Sequence, residues 1–245
     1  MKNLTDITLI LDRSGSMHTC LTDTIEAYNR FVSDQQKEPG ECIFSLVKFD
    51  HEYELTHAGK PIADIPMLTL ESYVPRGSTA LLDAIGKTIN ATGARLHNTP
   101  EDQRPSNVLV VILTDGQENA SLEFDRVKIK SMIEHQTSKY DWHFVFLAAN
   151  QDAVLTASGY GISSSSSMSY SSVSGPKGAS GPSGTRCAVA ALNAGVKNYR
   201  NTKGLSKADF FAGTQSLQAG DNLDDQTISP ISDSTVKSPA VTATP

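Results

Sequence analysis

Three apolar runs in this chain are near-continuous rather than alternating: ITLIL (7–11), NVLVVILT (107–114) and WHFVFLAA (142–149). A strand wetted on one face alternates apolar with polar residues, whereas a strand covered on both faces is free of that pattern. Short runs of this kind predict strands of a parallel sheet sheltered by helices on each side. CIFSLVKF (42–49) adds a fourth strand. Helical spacing fills the intervals, with Leu21, Ile25, Tyr28 and Val32 on one stripe and Leu82, Ile85 and Ile89 on another. SLEFDRVKIKSMIEHQ (121–136) predicts a looser amphipathic helix. Strand and helix in alternation predict an α/β, doubly wound fold. FDHEYELTHAG (49–59) reads instead as a hairpin leading into an antiparallel edge strand.

After Gly161 the composition shifts. ISSSSSMSYSSVS (162–174) is serine-rich, with one short strand around Ser167–Ser171, and GPKGASGPSG (175–184) holds Gly-X-Y triplets. A collagen helix needs a far longer repeat and three chains, so residues 163–185 are expected to form a flexible insert. RCAVAALNAGVKNYR (186–200) resumes a helical pattern, with Ala188, Leu192, Val196 and Tyr199 on one stripe. From residue 201 to 245 the chain is rich in Ser, Thr, Asp, Gly and Pro and reads as a disordered, low-complexity tail that cannot offset its ordering entropy.

With 245 residues, 38% of them hydrophobic, the chain has material for a sizeable core. The formal net charge of -6 argues against nucleic acid as a partner, and no Lys/Arg block reverses this. No apolar stretch is long enough to span a bilayer, so no membrane association is expected. MKNLTDITLILD lacks the h-region and cleavage site of a signal peptide. Cys20, Cys42 and Cys187 are widely spaced and odd in number, which fits a reducing cytoplasm better than a disulfide framework.

The chemistry concentrates where strands end. In an open α/β sheet, ligands bind beyond the carboxyl ends of strands where the strand order reverses. LILDRSGSM and LTDG both finish a strand on an aspartate, Asp12 and Asp115. If the chain winds outward from the first strand and then back, the two carboxylates end side by side, which is unfavourable without a cation between them. Ser14 and Ser16 add hydroxyl oxygens, and Thr79 in PRGSTALLDAI adds another ahead of an amphipathic helix. Carboxylate and hydroxyl donors without His or Cys are hard ligands, favouring Mg²⁺, with Mn²⁺ or Ca²⁺ as alternatives, over zinc. Taken singly these residues are ordinary turn and capping residues. Their co-occurrence on α/β connections is what points to a metal.

DRSGSM, RGSTALLDAI and LTDG resemble the metal-ion-dependent adhesion site (MIDAS) of von Willebrand factor type A (VWA) domains, a D-x-S-x-S motif with a distant Thr and a distant Asp. The resemblance implies a metal set of Asp12, Ser14, Ser16, Thr79 and Asp115, the hydroxyls binding directly and at least one carboxylate acting through water. It implies a three-layer, Rossmann-like, doubly wound and mostly parallel sheet with an antiparallel edge strand. It covers residues 1–162 as the VWA domain, with the 186–200 helix as its closing element. VPRGSTALLDAIG and FVFLAANQDA are similar to small intracellular bacterial and phage VWA proteins.

What the resemblance implies for function is a non-enzymatic, divalent-metal-dependent protein-binding module. A Mg²⁺ ion would take an Asp or Glu from a partner protein, such as an AAA+ ATPase or a phage or stress-response assembly. Met17, His18, Arg76, Gly77, Gln117 and Glu118 would form the rim that meets the partner. The competing reading is a metal-dependent hydrolase or phosphatase with Ser14 or Ser16 as nucleophile. Against it, no His or Lys in these motifs is placed to activate a serine, and there is no phosphate loop or GxSxG elbow. His51, with Asp50 and Glu52, lies on the predicted hairpin turn and could reach the rim, but reads first as a solvated turn, Cys20 as buried packing, and Glu118 and Asn119 as rim or as caps of the next helix.

Overall fold

The computed structural model describes residues 2–149, 152–171, 184–201 and 210–211. Among these described residues, six strands form one sheet in the order β3-β2-β1-β4-β5-β6, with β1 at Lys2–Asp12, β2 at Glu41–Phe49, β3 at Tyr53–Pro61, β4 at Pro105–Thr114, β5 at His143–Ala149 and β6 at Ser167–Tyr170. All neighbours are parallel except β2 and β3, which form the antiparallel hairpin at one edge. The strand order reverses between β1 and β4, where Leu11 lies opposite Leu113.

Helices cover both faces. Ile7, Leu9 and Leu11 of β1 point into a core with α1 (Leu21–Lys37) and α5 (Gly184–Asn201). Ile10 points the other way, into a core with α2 (Leu81–His97), α3 (Arg126–Tyr140) and α4 (Ala153–Gly159). Near-continuous apolar strands are thus required by burial on two sides, as the sequence pattern indicates. The helical stripes face the sheet as expected. Ile25, Tyr28 and Val32 are buried, as are Leu82, Ile85 and Ile89, with Ala188, Leu192 and Val196 on α5.

Several boundaries differ from the sequence expectation, each for a physical reason. The helix expected from residue 121 begins at Arg126, because the Asp83 carboxylate draws the preceding backbone into a loop. It accepts the amides of Leu122 (3.0 Å), Glu123 (2.9 Å) and Phe124 (2.9 Å). Asp125 then caps α3, accepting from the Lys128 amide at 2.7 Å.

Within the 163–185 insert, the short strand expected around Ser167–Ser171 is present as β6. Ser164–Ser166 form a 3-10 turn, and β6 extends the sheet beside β5, burying Met168 and Tyr170. Serine hydroxyls supply the local bonds there, Ser167 donating to the Ser163 carbonyl at 2.7 Å. Residues 172–183, with nearly all of the Gly-X-Y run, lie outside the described residues. The closing helix starts two positions before the expected 186 and ends at Asn201. Most of the 201–245 tail is likewise outside the described residues, but Phe210 and Phe211 are buried in the core with α5, which corrects the tail reading at those positions. Phe210 stacks on His143, with ring centroids 5.2 Å apart, and sits where a Cβ on Gly195 would overlap it.

Among the described residues, no helix is long and apolar enough to cross a membrane. All three cysteines are free, Cys20 and Cys42 buried.

Candidate functional site

β1 and β4 end side by side at the switch point, so Asp12 closes β1 directly opposite Thr114, and Asp115 follows one residue later. The Asp12 side chain is fully buried. Its Oδ1 accepts the Ser14 amide at 2.6 Å and its Oδ2 the Thr114 hydroxyl at 2.5 Å. Beneath it the Tyr73 hydroxyl donates to the Asp12 carbonyl. The next residues turn into a 3-10 segment, Gly15–Cys20, which brings the Ser14 and Ser16 hydroxyls within 3.1 Å of each other. Ser16 donates to Asp115 Oδ1 at 2.6 Å, across the gap between the two strands.

Thr79 arrives from the loop ahead of α2. Asn119 holds it on both sides, its Oδ1 accepting the Thr79 amide at 2.9 Å and its own amide donating to the Thr79 carbonyl at 3.0 Å. Gly77 in the same loop has a φ of +67°, and its carbonyl accepts the Gly15 amide at 3.1 Å, closing the two loops together. The five oxygen-bearing side chains named from sequence are therefore neighbours. The tightest measure of this is Gly116. A Cβ there would stand 2.9 Å from Thr79 Oγ1, 3.4 Å from Ser16 Oγ and 3.6 Å from Asp12 Oδ2. Glycine, on a third loop, leaves a space lined by oxygens from the other two.

The electrostatics of that space favour a cation. Burial pushes the Asp12 carboxyl up to about 6, only partly offset by the bonds from Thr114 and Ser14, and the Asp115 charge adds to the rise. Burial also raises Asp115, against the bond from Ser16. Two carboxylates and three hydroxyls, with no sulfur or imidazole among them, fit a hard divalent ion.

The residues expected at the rim differ in exposure. His18, Gly77 and Gln117 are exposed, and so is Arg76. Met17 is not at the rim. The 3-10 turn points it inward, and it is fully buried in the core beside Cys20. Glu118 offers no free carboxylate either. Its Oε2 accepts from the Leu82 amide (2.9 Å) and the Ser121 hydroxyl (2.7 Å), and its Oε1 from the amides of Ala120 (3.0 Å) and Ser121 (2.8 Å). It caps the first turn of α2, not the helix that follows it in the chain.

The Asp50 turn is also not as expected. Asp50 is fully buried rather than solvated. Its Oδ2 accepts from Arg13 Nε at 2.8 Å and Arg76 Nε at 2.9 Å, and its Oδ1 from the Glu52 amide at 2.7 Å. Burial would push its carboxyl up, but the Glu52 amide and the two guanidiniums outweigh that and hold it below its ordinary value. Asp50, His51 and Glu52 place potential ligand atoms within 4.8 Å of one another, yet the guanidiniums already supply the positive charge Asp50 needs.

Glu54 extends the network, pairing with Arg13 Nη1 (2.5 Å) and Lys48 Nζ (2.7 Å). Burial opposes its charge, but bonds from Lys48, Thr56 and Arg13 prevail and lower its carboxyl from 4.5 to about 2. A depressed acid contributes stability that is fully present above the unfolded value and is lost as pH falls toward the folded one. The melting temperature is therefore expected to fall more steeply with acidification between about pH 4.5 and about pH 2 in the parent than in Glu54→Gln, followed by circular dichroism. Parallel curves would refute this.

No model of a known protein family matches the chain, and no curated protein does. Solved structures do. The vWF domain of the type V pili tip protein Mfa5 from Porphyromonas gingivalis is similar over 84% of this chain and 99% of its own, at 9% identity and a TM-score of 0.55. Proximal thread matrix protein 1 from the mussel byssus is similar over 80% of this chain at 16% identity and a TM-score of 0.51, and the chain spans 46% of that protein's length. At such identities the likeness carries the fold and nothing finer.

Proposed function

We propose that this chain, which has the von Willebrand factor type A fold, is a divalent-metal-dependent protein-binding module. The observation that carries the proposal is the convergence of Asp12, Ser14, Ser16, Thr79 and Asp115 from separate loops onto the space beside Gly116. These five residues would hold the ion, with Mg²⁺ the best match to an all-oxygen donor set. When bound, the ion supplies a Lewis-acidic position that a partner's Asp or Glu completes. The chain's own part is to fix the donors before the partner arrives and to present His18, Arg76, Gly77 and Gln117 around them.

The hydroxyl chemistry supports binding over hydrolysis. The Ser14 and Ser16 hydroxyls bond to each other and Ser16 also donates to Asp115, and those bonds include no imidazole or amine that would take a proton from a nucleophile. The protein partner is an acidic surface of a neighbouring assembly, of which AAA+ ATPases and phage or stress-response complexes are the classes the motif suggests. A cytoplasmic site of action is part of the same reading.

The test is affinity capture with the immobilised chain from its native cell extract, in Mg²⁺ and in EDTA. Partners are expected to be retained with Mg²⁺, released by EDTA, and lost with Asp12→Ala. Capture that is indifferent to chelator and to the substitution overturns the metal contact. Phosphoesterase turnover that vanishes in Asp12→Ala would favour hydrolysis instead.

A further inference from the structure

We propose that Asp50 is a positioning residue for the metal site, holding the two metal-binding loops in register through Arg13 and Arg76. The inference rests on the metal reading above and deepens it. Asp12, Ser14, Ser16 and Thr79, four of the five oxygen donors, lie on two loops that belong to different parts of the chain, residues 12–16 and 75–80. The second loop has no helix or strand of its own, and the first passes from the end of β1 into the short 3-10 segment that begins at Gly15. Besides the main-chain bonds from Gly15 to Gly77 and from Arg76 to Arg13, what ties them is an ion-pair cluster built around the buried Asp50 carboxylate.

Arg13 stands between the donors Asp12 and Ser14, and its side chain is 9% exposed. Its amide donates to the Phe49 carbonyl at 2.7 Å, and its carbonyl accepts the Arg76 amide at 2.7 Å. Its guanidinium then reaches Asp50 on one side and Glu54 on the other. Arg76 repeats the arrangement from the second loop, bonding Asp50 through Nε and Glu52 through Nη2. The Asp50 main chain joins in as well, its carbonyl accepting the amide of Ala80, the residue after Thr79, at 2.9 Å. One buried carboxylate therefore meets side chains of the first and second loops and the Glu52 amide of the β2–β3 turn at once. Removing it leaves Arg13 as a buried, half-compensated cation between two metal donors. Outer residues that orient metal ligands commonly change metal affinity as strongly as this arrangement implies.

Charge alone makes the opposite claim for one of these residues, which gives the test its edge. A guanidinium near a divalent ion repels it, so on Coulombic grounds the loss of Arg76 would tighten metal binding. If Arg76 serves to hold the loop, its loss weakens binding in spite of the charge removed.

The experiment is Mg²⁺ titration of the full chain by calorimetry, for the parent, Asp50→Asn and Arg76→Gln. Each is measured well below its own melting temperature in EDTA, so a residue that only stabilises the fold leaves the affinity of the folded chain unchanged. Both variants are expected to bind Mg²⁺ about tenfold to a hundredfold more weakly than the parent. If Asp50→Asn does not fold, Arg76→Gln, altered on the exposed side of the cluster, carries the measurement. Unchanged or tighter binding in Arg76→Gln overturns the positioning role and leaves the metal reading standing. No Mg²⁺ binding by the parent overturns both.

Discussion

Adding Mg²⁺ to the metal-free chain is expected to raise its melting temperature, and Asp12→Ala or Asp115→Asn to abolish the rise. A ligand that binds only the folded state, at about a hundred times its Kd, adds about 2.7 kcal/mol of stability. For a chain of this size that corresponds to roughly 5–11 °C. The two variants separate in EDTA. Asp12 anchors the Ser14 amide and the Thr114 hydroxyl, so an alanine leaves the amide without its acceptor and the hydroxyl with only the longer bond to the Gly116 carbonyl, and lowers the baseline. Asp115 bonds Ser16 alone among these groups and carries a charge that burial disfavours, so Asp115→Asn is expected to keep or raise the baseline while losing the Mg²⁺ response. Differential scanning fluorimetry in Mg²⁺ and in EDTA reads all four values. A Mg²⁺-induced shift that persists in Asp115→Asn would place the ion elsewhere.

The second large effect comes from a residue that donates nothing. Gly116→Ala puts a methyl group 2.9 Å from Thr79 Oγ1 and close to Ser16 and Asp12, inside the oxygen-lined space. The expected result is loss of the Mg²⁺ response and of metal-dependent capture, with far-ultraviolet circular dichroism unchanged. No ligand has been removed, so an effect here reports the location of the ion rather than the chemistry of any one donor. A wild-type response in Gly116→Ala would mean that the ion does not sit among these oxygens.

Much of this was legible in the order of the residues. Strands buried on two faces announce themselves as unbroken apolar runs, and the doubly wound order then forces Asp12 and Asp115 together at the switch point. What escaped the sequence was set by partners distant along the chain. The start of α3 depends on Asp83, about forty positions earlier, capturing three amides that would otherwise continue a helix. Asp50, His51 and Glu52 look like any charged turn until Arg13 and Arg76 are seen to converge on Asp50. Met17 follows two motif serines and looks like part of the rim, but the tighter 3-10 geometry turns it to the core. β6, by contrast, was legible as a short strand within the serines, and its anchoring comes from Met168 and Tyr170 and from edge pairing with β5.

The loop that runs from Gly116 to Asp125 is fastened at both flanks by carboxylates whose oxygens are already spoken for, Glu118 at one end and Asp83 at the other. On the proposed binding function, a visiting surface would meet a contour that is set in advance, and little conformational freedom would be surrendered there on contact. Recognition at this edge then depends on shape as it stands. Discrimination between visitors falls to the few side chains that still point outward, not to a loop that remoulds itself around each one.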